Sequence, residues 1–360
     1  MIIGHGGNKT ALARKLECGI DDIIDMSANI NPLGPPERIR NVIQNNVSAI
    51  QHLPEPDAQS MVQGFARYHE IDPDTVIAGN GTTWFIYTLP LALRARKVLI
   101  LGPTYSDYAD ACRMHNIDPE FWTADFEDGF VPDLEGVSKM AADADLVFIC
   151  NPNNPTGVLL DPVFVTTLLQ RHPGVCFVVD ESYLPFVAEG DTLSLIHAGN
   201  YSNLLVLSSM SKIFAIPGLR TGFLSGAPDL IEKVRAYCQP WNVNALAQIV
   251  IRDIYDHPEQ IAPFYQKTRA FIAQEKQWFL EKDGNIHGLV PVAGHTGFVL
   301  ARLRHHTAPQ VCRLVGQDRI LIRDCSNFHG LKPQFVRFSL KDRESNLKLA
   351  ASLKKALAHD

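Results

Sequence analysis

Between about residues 75 and 226, short runs of apolar residues alternate with polar loops and with longer helix-like stretches. This alternation is typical of an α/β domain. Many of the runs are continuously apolar, as is usual for strands that helices cover on both faces. Seven runs predict the strands of a mostly parallel sheet, at residues 75–78, 97–101, 119–122, 145–150, 175–179, 203–207 and 221–225.

The pattern changes after about residue 240, where a long, charged, helix-like segment spans 259–280. Shorter strand-like runs follow at 296–301, 320–323 and 334–340, and a last helix is predicted at 345–358. We therefore predict a large domain at 41–249 and a smaller α+β domain at 250–360. The N-terminal segment 1–40 either joins the smaller domain or reaches a neighbouring subunit.

Composition narrows the classes of function. The chain has 360 residues, of which 46% are hydrophobic and 20% charged, so it can bury a large core. Its net charge of −6 includes no basic block of the kind that holds nucleic acid or an anionic membrane. No run reaches the ~20 apolar residues of a membrane span, and the start shows no signal-peptide pattern, so we expect a cytoplasmic protein. The seven cysteines show no Cys-x-x-Cys spacing, so neither a disulfide framework nor a metal site is predicted.

The loops that follow the apolar runs carry the candidate chemistry. In doubly wound sheets, ligands bind outside the carboxyl ends of the strands. The first such loop, at 79–83, reads GNGTT and opens a helix-like run. Main-chain N–H groups at a helix N-terminus favour a phosphate. On its own, this loop is explained equally well by a tight turn.

Three further loops add polar and nucleophilic groups. Residues 151–157 read NPNNPTG, a turn that two prolines stiffen and whose amides can both donate and accept. Asp180 begins the motif DESY at the end of an apolar run, where an unpaired charge is costly. Lys212 ends the motif SMSK, and Arg220 lies eight residues further on. A lysine that loses solvation has a lowered pKa and becomes a nucleophile toward a carbonyl. Each feature alone also fits a structural role.

Taken in order, these loops resemble the elements that bind pyridoxal 5′-phosphate (PLP) in class I and II aminotransferases. The motifs are GNGTT at 79–83, Tyr105 after Gly-Pro-Thr, NPNNPTG at 151–157, DESY at 180–183 and SMSK with its arginine at 209–220. The resemblance implies PLP as the cofactor and fold type I of the PLP-dependent transferases. That fold has a large domain with a mostly parallel seven-stranded sheet between helices, and a smaller α+β domain.

The same resemblance implies a role for each residue of these motifs. Lys212 would hold PLP as a Schiff base, and Asp180 would keep the ring nitrogen protonated. Asn154 and Tyr183 would contact the phenolic oxygen, and Tyr105 would stack on the ring. The cofactor phosphate would be held by Gly81, Thr82, Thr83, Ser209, Ser211 and Arg220. Lys212, Asp180 and Tyr183 are the predicted catalytic residues. The set is chemically coherent because the ring withdraws electrons only while its nitrogen is cationic, and a buried carboxylate stabilises that charge.

Within this superfamily, the chain is similar nearly from end to end to the threonine-phosphate decarboxylases of cobalamin biosynthesis. The shared motifs are HGGN at 5–8, SANINPLG at 27–34 and IRDCSNF at 322–328. They imply decarboxylation of L-threonine O-3-phosphate to (R)-1-amino-2-propanol O-2-phosphate, for the nucleotide-loop linker of cobalamin. The phosphate and carboxylate of the substrate would be bound by His5, Asn31, Asn154, Arg323 and Arg337.

Several alternatives stay open. L-Serine O-phosphate, which would give ethanolamine phosphate, differs from the leading substrate by one methyl group, and a pocket distinguishes that by only ~1–3 kcal/mol. A histidinol-phosphate-type aminotransferase is closely related and uses the same cofactor. A non-catalytic, PLP-binding regulator of this fold is a candidate from another class of function.

The resemblance also implies a homodimer with active sites at the interface, and His5 is our candidate for a residue that crosses it. Two positions depart from the family pattern. Leu53 stands where relatives often have a tyrosine that reaches the neighbouring subunit's cofactor phosphate. Trp84 stands where an acidic residue is usual after the phosphate-binding turn.

Overall fold

The computed structural model of the chain describes residues 5–198, 201–283 and 286–358. Its strands are β1 (Ile24–Asp25), β2 (Val76–Asn80), β3 (Val98–Gly102), β4 (Glu120–Thr123), β5 (Leu146–Cys150), β6 (Cys176–Asp180), β7 (Leu204–Ser209), β8 (Thr221–Gly226), β9 (Leu289–Pro291), β10 (Phe298–Leu303), β11 (Ile320–Leu321), β12 (Arg323–Asp324) and β13 (Phe335–Ser339). Its α-helices are α1 (Lys9–Leu16), α2 (Glu37–Asn45), α3 (Gln59–Tyr68), α4 (Thr82–Ala92), α5 (Asp107–Met114), α6 (Leu134–Ala141), α7 (Pro162–Arg171), α8 (Gly190–Leu193), α9 (Met210–Ile213), α10 (Pro228–Arg235), α11 (Ala245–Asp256), α12 (Ile261–Trp278), α13 (Ala308–Gln317) and α14 (Arg343–Leu357).

A seven-stranded sheet forms the centre of the larger unit. Its strand order is β2-β8-β7-β6-β5-β3-β4, and all neighbours are parallel except that β8 runs antiparallel to both β2 and β7. The seven strands coincide with the seven apolar runs, which confirms the predicted mostly parallel sheet. Several extend beyond the apolar run at the carboxyl end, as β6 does to Asp180 and β7 to Ser209. Main-chain pairing continues there because it does not require an apolar side chain.

Both faces of this sheet are buried. Along β5, Val147 and Ile149 belong to the apolar cluster on one face, whereas Phe148 belongs to the cluster on the other. Every residue of β5 and of β6 is buried. Burial on two faces is the reason that these strands read as continuous apolar runs.

A smaller α+β unit carries the second sheet, in which β12, β13, β10 and β9 are antiparallel neighbours. The single strand predicted at 320–323 is two strands in the structure, because β11 pairs with β1 whereas β12 pairs with β13. The parallel pairing of Ile24 with Ile320 attaches the N-terminal segment to this smaller unit.

Capping side chains explain where several helices begin. Asp161 accepts from the Val163 N–H at 2.7 Å just before Pro162, so α7 begins there. Asp342 accepts from the Ser345 N–H at 3.0 Å, and α14 therefore begins two residues earlier than predicted. Within the described part of the chain, none of the helices combines the length and apolar character needed to cross a bilayer.

Candidate active site

A cleft lies at the carboxyl ends of β5, β6 and β7, between the large sheet and the smaller unit. It is lined by seven of the residues that the sequence predicts for the site, namely His5, Tyr105, Asn154, Tyr183, Lys212, Arg323 and Arg337. The two arginines come from β12 and β13 of the smaller unit, whereas the others except His5 follow strands of the large sheet. The cleft therefore forms only when both units are folded together.

Lys212 lines the cleft from the short helix α9, which begins directly after β7. Burial lowers the pKa of its amine to about 8, and the nearby charge of Arg220 acts in the same direction. About half of the amine is therefore neutral at pH 8, whereas an ordinary lysine is almost fully protonated there. A neutral, partly buried amine is a nucleophile toward a carbonyl carbon.

Asp180 is a buried carboxylate at the end of β6. Its Oδ2 accepts from the Tyr108 hydroxyl at 2.8 Å, and its Oδ1 accepts from the Ser182 N–H at 2.9 Å. Burial holds the pKa of Tyr108 well above its ordinary value, so this phenol stays a donor. Among the described residues, Asp180 makes no ion pair. An unpaired buried carboxylate is costly, so this position suits a cationic ligand.

An anion site lies at the start of α4. The helix begins at Thr82, directly after Gly81, whose φ is 78°. A Cβ on Gly81 would lie 2.7 Å from Nη2 of Arg220, so the guanidinium occupies the space that the glycine leaves. Ser209 pairs with Gly222 in the sheet, and a Cβ on Gly222 would lie 2.7 Å from the Thr82 nitrogen. These contacts bring a helix N-terminus and an arginine together and place Ser209 on the neighbouring strand. A helix N-terminus and an arginine are donors that suit a phosphate.

Arg323 and Arg337 lie directly opposite each other on the paired strands β12 and β13. Arg337 is buried, and it donates from Nη1 to Asn154 Oδ1 and from Nη2 to the Ser27 carbonyl at 2.8 Å. Arg323 donates from Nη2 to Asn327 Oδ1 at 2.7 Å. Neither guanidinium pairs with a carboxylate of the described residues, and Nε of Arg337 is buried without a partner. Because like charges on facing residues repel, this pair needs an anionic ligand.

Two predicted site residues, Ser211 and Asn31, use their side chains for hydrogen bonds to other residues of the chain. Ser211 Oγ donates to the Thr221 carbonyl at 3.2 Å and accepts from the Thr221 N–H at 3.4 Å. Asn31 Nδ2 donates to the Ile213 carbonyl at 2.7 Å and to the Thr268 hydroxyl at 2.9 Å, while its Oδ1 accepts from the main chain two residues on. The amide of Asn31 therefore helps to hold the N-terminal segment, and a substrate contact by Asn31 stays a prediction. A phosphate contact by Ser211 stays a prediction.

Asn29, rather than Asn31, is the amide of this segment that lines the cleft. Its Nδ2 donates to the Tyr183 hydroxyl at 3.2 Å, and its Oδ1 accepts from Ser339 Oγ at 2.9 Å. Burial raises the pKa of Tyr183 to about 12, although the charge of Arg337 acts in the opposite direction. Tyr183 therefore stays protonated, with Asn29 as its fixed neighbour.

His5 lines the cleft of its own chain, with its ring 6.2 Å from the ring of Tyr105. The turn after it is held to Ser27, whose Oγ accepts from the Gly7 N–H at 2.7 Å. A Cβ on Gly6 would lie 2.5 Å from the Ser27 carbonyl oxygen, so only glycine permits this approach. His5 therefore has a place in the cleft of its own chain, and its expected contact across an interface stays a prediction. The homodimer stays a prediction.

The two departures from the family pattern differ in their surroundings. Leu53 is 75% exposed and takes no part in the cleft of its own chain. Trp84 is partly buried in the apolar cluster on one face of the sheet and packs edge-on against Phe85. Packing of α4 on the sheet accounts for a tryptophan at this position.

The family of the chain follows from its similarity to known proteins. The family model described as aminotransferase class I and II matches residues 21–353. The chain belongs to this family. Class I and II aminotransferases are PLP-dependent, and PLP is therefore the cofactor of this chain.

Members of the class I and II aminotransferase family with two kinds of activity resemble this chain. The threonine-phosphate decarboxylase of Salmonella typhimurium is 29% identical over 98% of this chain and 96% of that protein. The crystal structure of L-threonine-O-3-phosphate decarboxylase from Porphyromonas gingivalis is 29% identical, with a TM-score of 0.83, over 93% of this chain and 100% of that one. The crystal structure of the histidinol-phosphate aminotransferase from Clostridium acetobutylicum is 27% identical, with a TM-score of 0.86, over 94% of this chain and 100% of that one. These similarities confirm the predicted fold type.

The residues of the cleft fit the cofactor of this family, and we propose the following roles. The cradle at Gly81 and Arg220 would hold the cofactor phosphate, and the unpaired Asp180 would face the protonated ring nitrogen. Tyr105 would lie against the ring, and Lys212 would bond to the aldehyde carbon. Tyr108, which the sequence reasoning missed, would fix the carboxylate of Asp180 through its hydrogen bond.

We expect Gly81→Ala to weaken the binding of PLP about tenfold or more. The added Cβ would push against the Arg220 guanidinium, and the left-handed backbone would be strained as well. Gly129→Ala is the matched control, because Gly129 also has a positive φ, of 63°, but a Cβ there would meet open space. A fluorescence titration of each apoenzyme with PLP gives the dissociation constants. Equal losses of affinity in the two variants would contradict a phosphate site at Gly81.

Proposed function

We propose that the protein is a PLP-dependent decarboxylase of an O-phospho-L-amino acid, with L-threonine O-3-phosphate as its substrate and (R)-1-amino-2-propanol O-2-phosphate as its product. The observation that carries this proposal is the pair of buried arginines, Arg323 and Arg337, which face each other without a carboxylate. Such a pair suits a substrate with two anionic groups, and an O-phosphoamino acid brings a phosphate and a carboxylate. Relatives named threonine-phosphate decarboxylase support the same reaction. We include in this proposal that the product supplies the linker of the nucleotide loop of cobalamin.

Anchoring of the substrate decides between decarboxylation and transamination. PLP, when bound, supplies an electron sink for a bond that breaks at the substrate Cα. Arg323 and Arg337 are fixed on paired strands. When they bind the two anionic groups of the substrate, they determine how its Cα is oriented. Decarboxylation would follow if Arg323 and Arg337 hold the substrate so that its bond to the carboxylate, and not the bond to the Cα hydrogen, is presented to the cofactor.

A proton must return to Cα after carbon dioxide leaves. Lys212 is suited to deliver it, because an amine with a pKa of about 8 both carries and releases a proton near neutral pH. Tyr183 is unsuited, because its pKa of about 12 keeps its proton in place. Lys212 therefore acts twice, first in holding the cofactor and then in proton transfer.

Two narrower alternatives use the same cleft. L-Serine O-phosphate lacks only the methyl group of the leading substrate. Histidinol phosphate, the substrate implied by the aminotransferase relatives, carries a phosphate but no carboxylate, so one of the two arginines would lack an anion while it is bound. The arginine pair therefore suits a phosphoamino acid, whereas an aminotransferase would occupy both arginines only with its dicarboxylate partner, 2-oxoglutarate or glutamate.

Incubation of the holoenzyme with L-threonine O-3-phosphate tests the proposed reaction. We expect carbon dioxide and the amine phosphate in equal amounts, without any requirement for 2-oxoglutarate. L-Serine O-phosphate, assayed alongside, should have a kcat/KM lower by about 10- to 200-fold, the usual effect of one methyl group. If neither compound releases carbon dioxide, and histidinol phosphate with 2-oxoglutarate yields glutamate instead, the protein is an aminotransferase.

A further inference from the structure

Asp107 is a second buried carboxylate close to the cleft, and neither the cofactor nor the arginine pair accounts for it. It is the first residue of α5 and is only 4% exposed. Its Oδ1 is buried and has no hydrogen-bond partner. Burial raises the pKa of Asp107, whereas the Tyr105 hydroxyl and the charge of His5 act in the opposite direction. A carboxylate buried in this way is costly unless a cation lies beside it.

His5 is the side chain that meets this carboxylate. Its Nε2 lies 3.5 Å from Asp107 Oδ1, which is within ion-pair range but longer than a good hydrogen bond. Contacts of this kind are often long without the ligand and shorten when it binds. The side chain of His5 is 35% exposed, so part of the ring faces the cleft while Nε2 faces Asp107.

The backbone places His5 close to the arginine pair. Ser27 accepts from the Gly7 N–H through its Oγ, and the carbonyl of the same residue accepts from Arg337 Nη2 at 2.8 Å. One residue thus holds both the turn that carries His5 and the guanidinium that faces the ligand. The imidazole and the arginine pair therefore line the same cleft.

We propose that Asp107 is a positioning residue, which holds His5 through Nε2 and so orients the imidazole ring for binding the phosphate of the substrate. The inference rests on the proposed function, because it requires a phosphorylated substrate. Asp107 itself touches neither the substrate nor the cofactor in this arrangement. It fixes the imidazole ring in the same way that a carboxylate fixes a histidine in metal sites and catalytic triads.

A double-mutant cycle separates this role from a merely structural one. Asp107→Asn is made in the natural chain and in the His5→Gln variant, and the holoenzymes are assayed with L-threonine O-3-phosphate. In the natural chain we expect KM to rise about tenfold, the value of one charge-assisted hydrogen bond, with kcat changed less than about threefold. In the His5→Gln background, the same substitution should change KM less than about twofold. Asp110→Asn, on the next turn of α5, is the control and should leave both constants unchanged.

The outcomes that overturn the inference are equally distinct. An equal rise in KM in both backgrounds would show that Asp107 does not act through His5, and so would a change confined to PLP affinity. If Asp107→Asn folds poorly, Asp107→Ser removes the carboxylate but keeps a small polar group that suits a helix start. Calorimetric titration of the four holoenzymes with inorganic phosphate repeats the cycle without turnover. The two claims can therefore fail separately. The role of Asp107 would be wrong if the cycle shows no coupling to His5 while the natural chain still releases carbon dioxide. The proposed reaction would be wrong if no carbon dioxide is released, even if phosphate binding shows the coupling.

Discussion

Lys212→Ala is expected to lower kcat for L-threonine O-3-phosphate by about 10⁴-fold or more, the size typical for loss of a catalytic group with more than one task. The reason is that the amine is proposed both to bond to the cofactor and to return the proton to Cα. With its pKa lowered to about 8 by burial, the amine is neutral often enough for the first task and protonated often enough for the second. The measurement is single-turnover release of carbon dioxide from variant enzyme loaded with PLP.

Lys276→Met is the matched control for this prediction. Burial also lowers the pKa of Lys276 to about 8. Its Nζ, however, donates to the carbonyl oxygens of Gly294 and Thr296, away from the cleft. We expect kcat to stay within about tenfold of the natural value, because only the packing of a loop is affected. If this variant lost as much activity as Lys212→Ala, the loss would not be specific to the lysine in the cleft. The lowered pKa of Lys212 would then be no evidence for its catalytic role.

Asp180→Asn should lower kcat by about 10²- to 4 × 10³-fold, the equivalent of the roughly 3–5 kcal/mol lost when a buried ion pair is broken. The amide keeps the size of the side chain but removes the charge that stabilises a protonated ring nitrogen. Tyr108→Phe removes only the hydrogen bond of 2.8 Å to Oδ2, so we expect a loss of about tenfold. Steady-state assays of carbon dioxide release give both values.

Glu181→Gln tests whether the effect belongs to Asp180 or to any buried acid at this strand end. Glu181 is also buried, but it accepts from Ser194 Oγ at 2.5 Å and from the Leu195 N–H at 2.7 Å. Burial raises the pKa of Glu181 to about 7, so the protein already tolerates its neutral form near neutral pH. We expect kcat to change less than about fivefold. Similar losses at the two positions would argue against a ring-nitrogen contact by Asp180.

The large sheet could be predicted from sequence because its strands are buried on both faces. Runs such as residues 146–150 are apolar throughout, and the sheet buries each of these residues. The ends of the strands were harder to predict, because Asp180 and Ser209 pair through the main chain although their side chains are polar. The strand at 320–323 was predicted as one element because sequence does not reveal that its two halves pair with different sheets.

Within the candidate site, residues that follow strands were easier to find than those that act through a tertiary contact. Asn29 and Asn31 stand in one motif, and only contacts with residues far along the chain, such as Thr268, separate their roles. Tyr108 could have been suspected from its place near the start of a helix, one turn after Tyr105. Asp107 had no such signal, since an acidic residue in a first helical turn is ordinary.

Reductive trapping of the cofactor tests the central claim most directly. The holoenzyme is treated with borohydride, which converts the bond between a lysine amine and the PLP aldehyde carbon into a stable amine, and the digested chain is mapped by mass spectrometry. We predict one phosphopyridoxyl group per chain, on the peptide that contains Lys212 and not on the one that contains Lys276. A label on any other lysine, or no label, would contradict the site described for this chain.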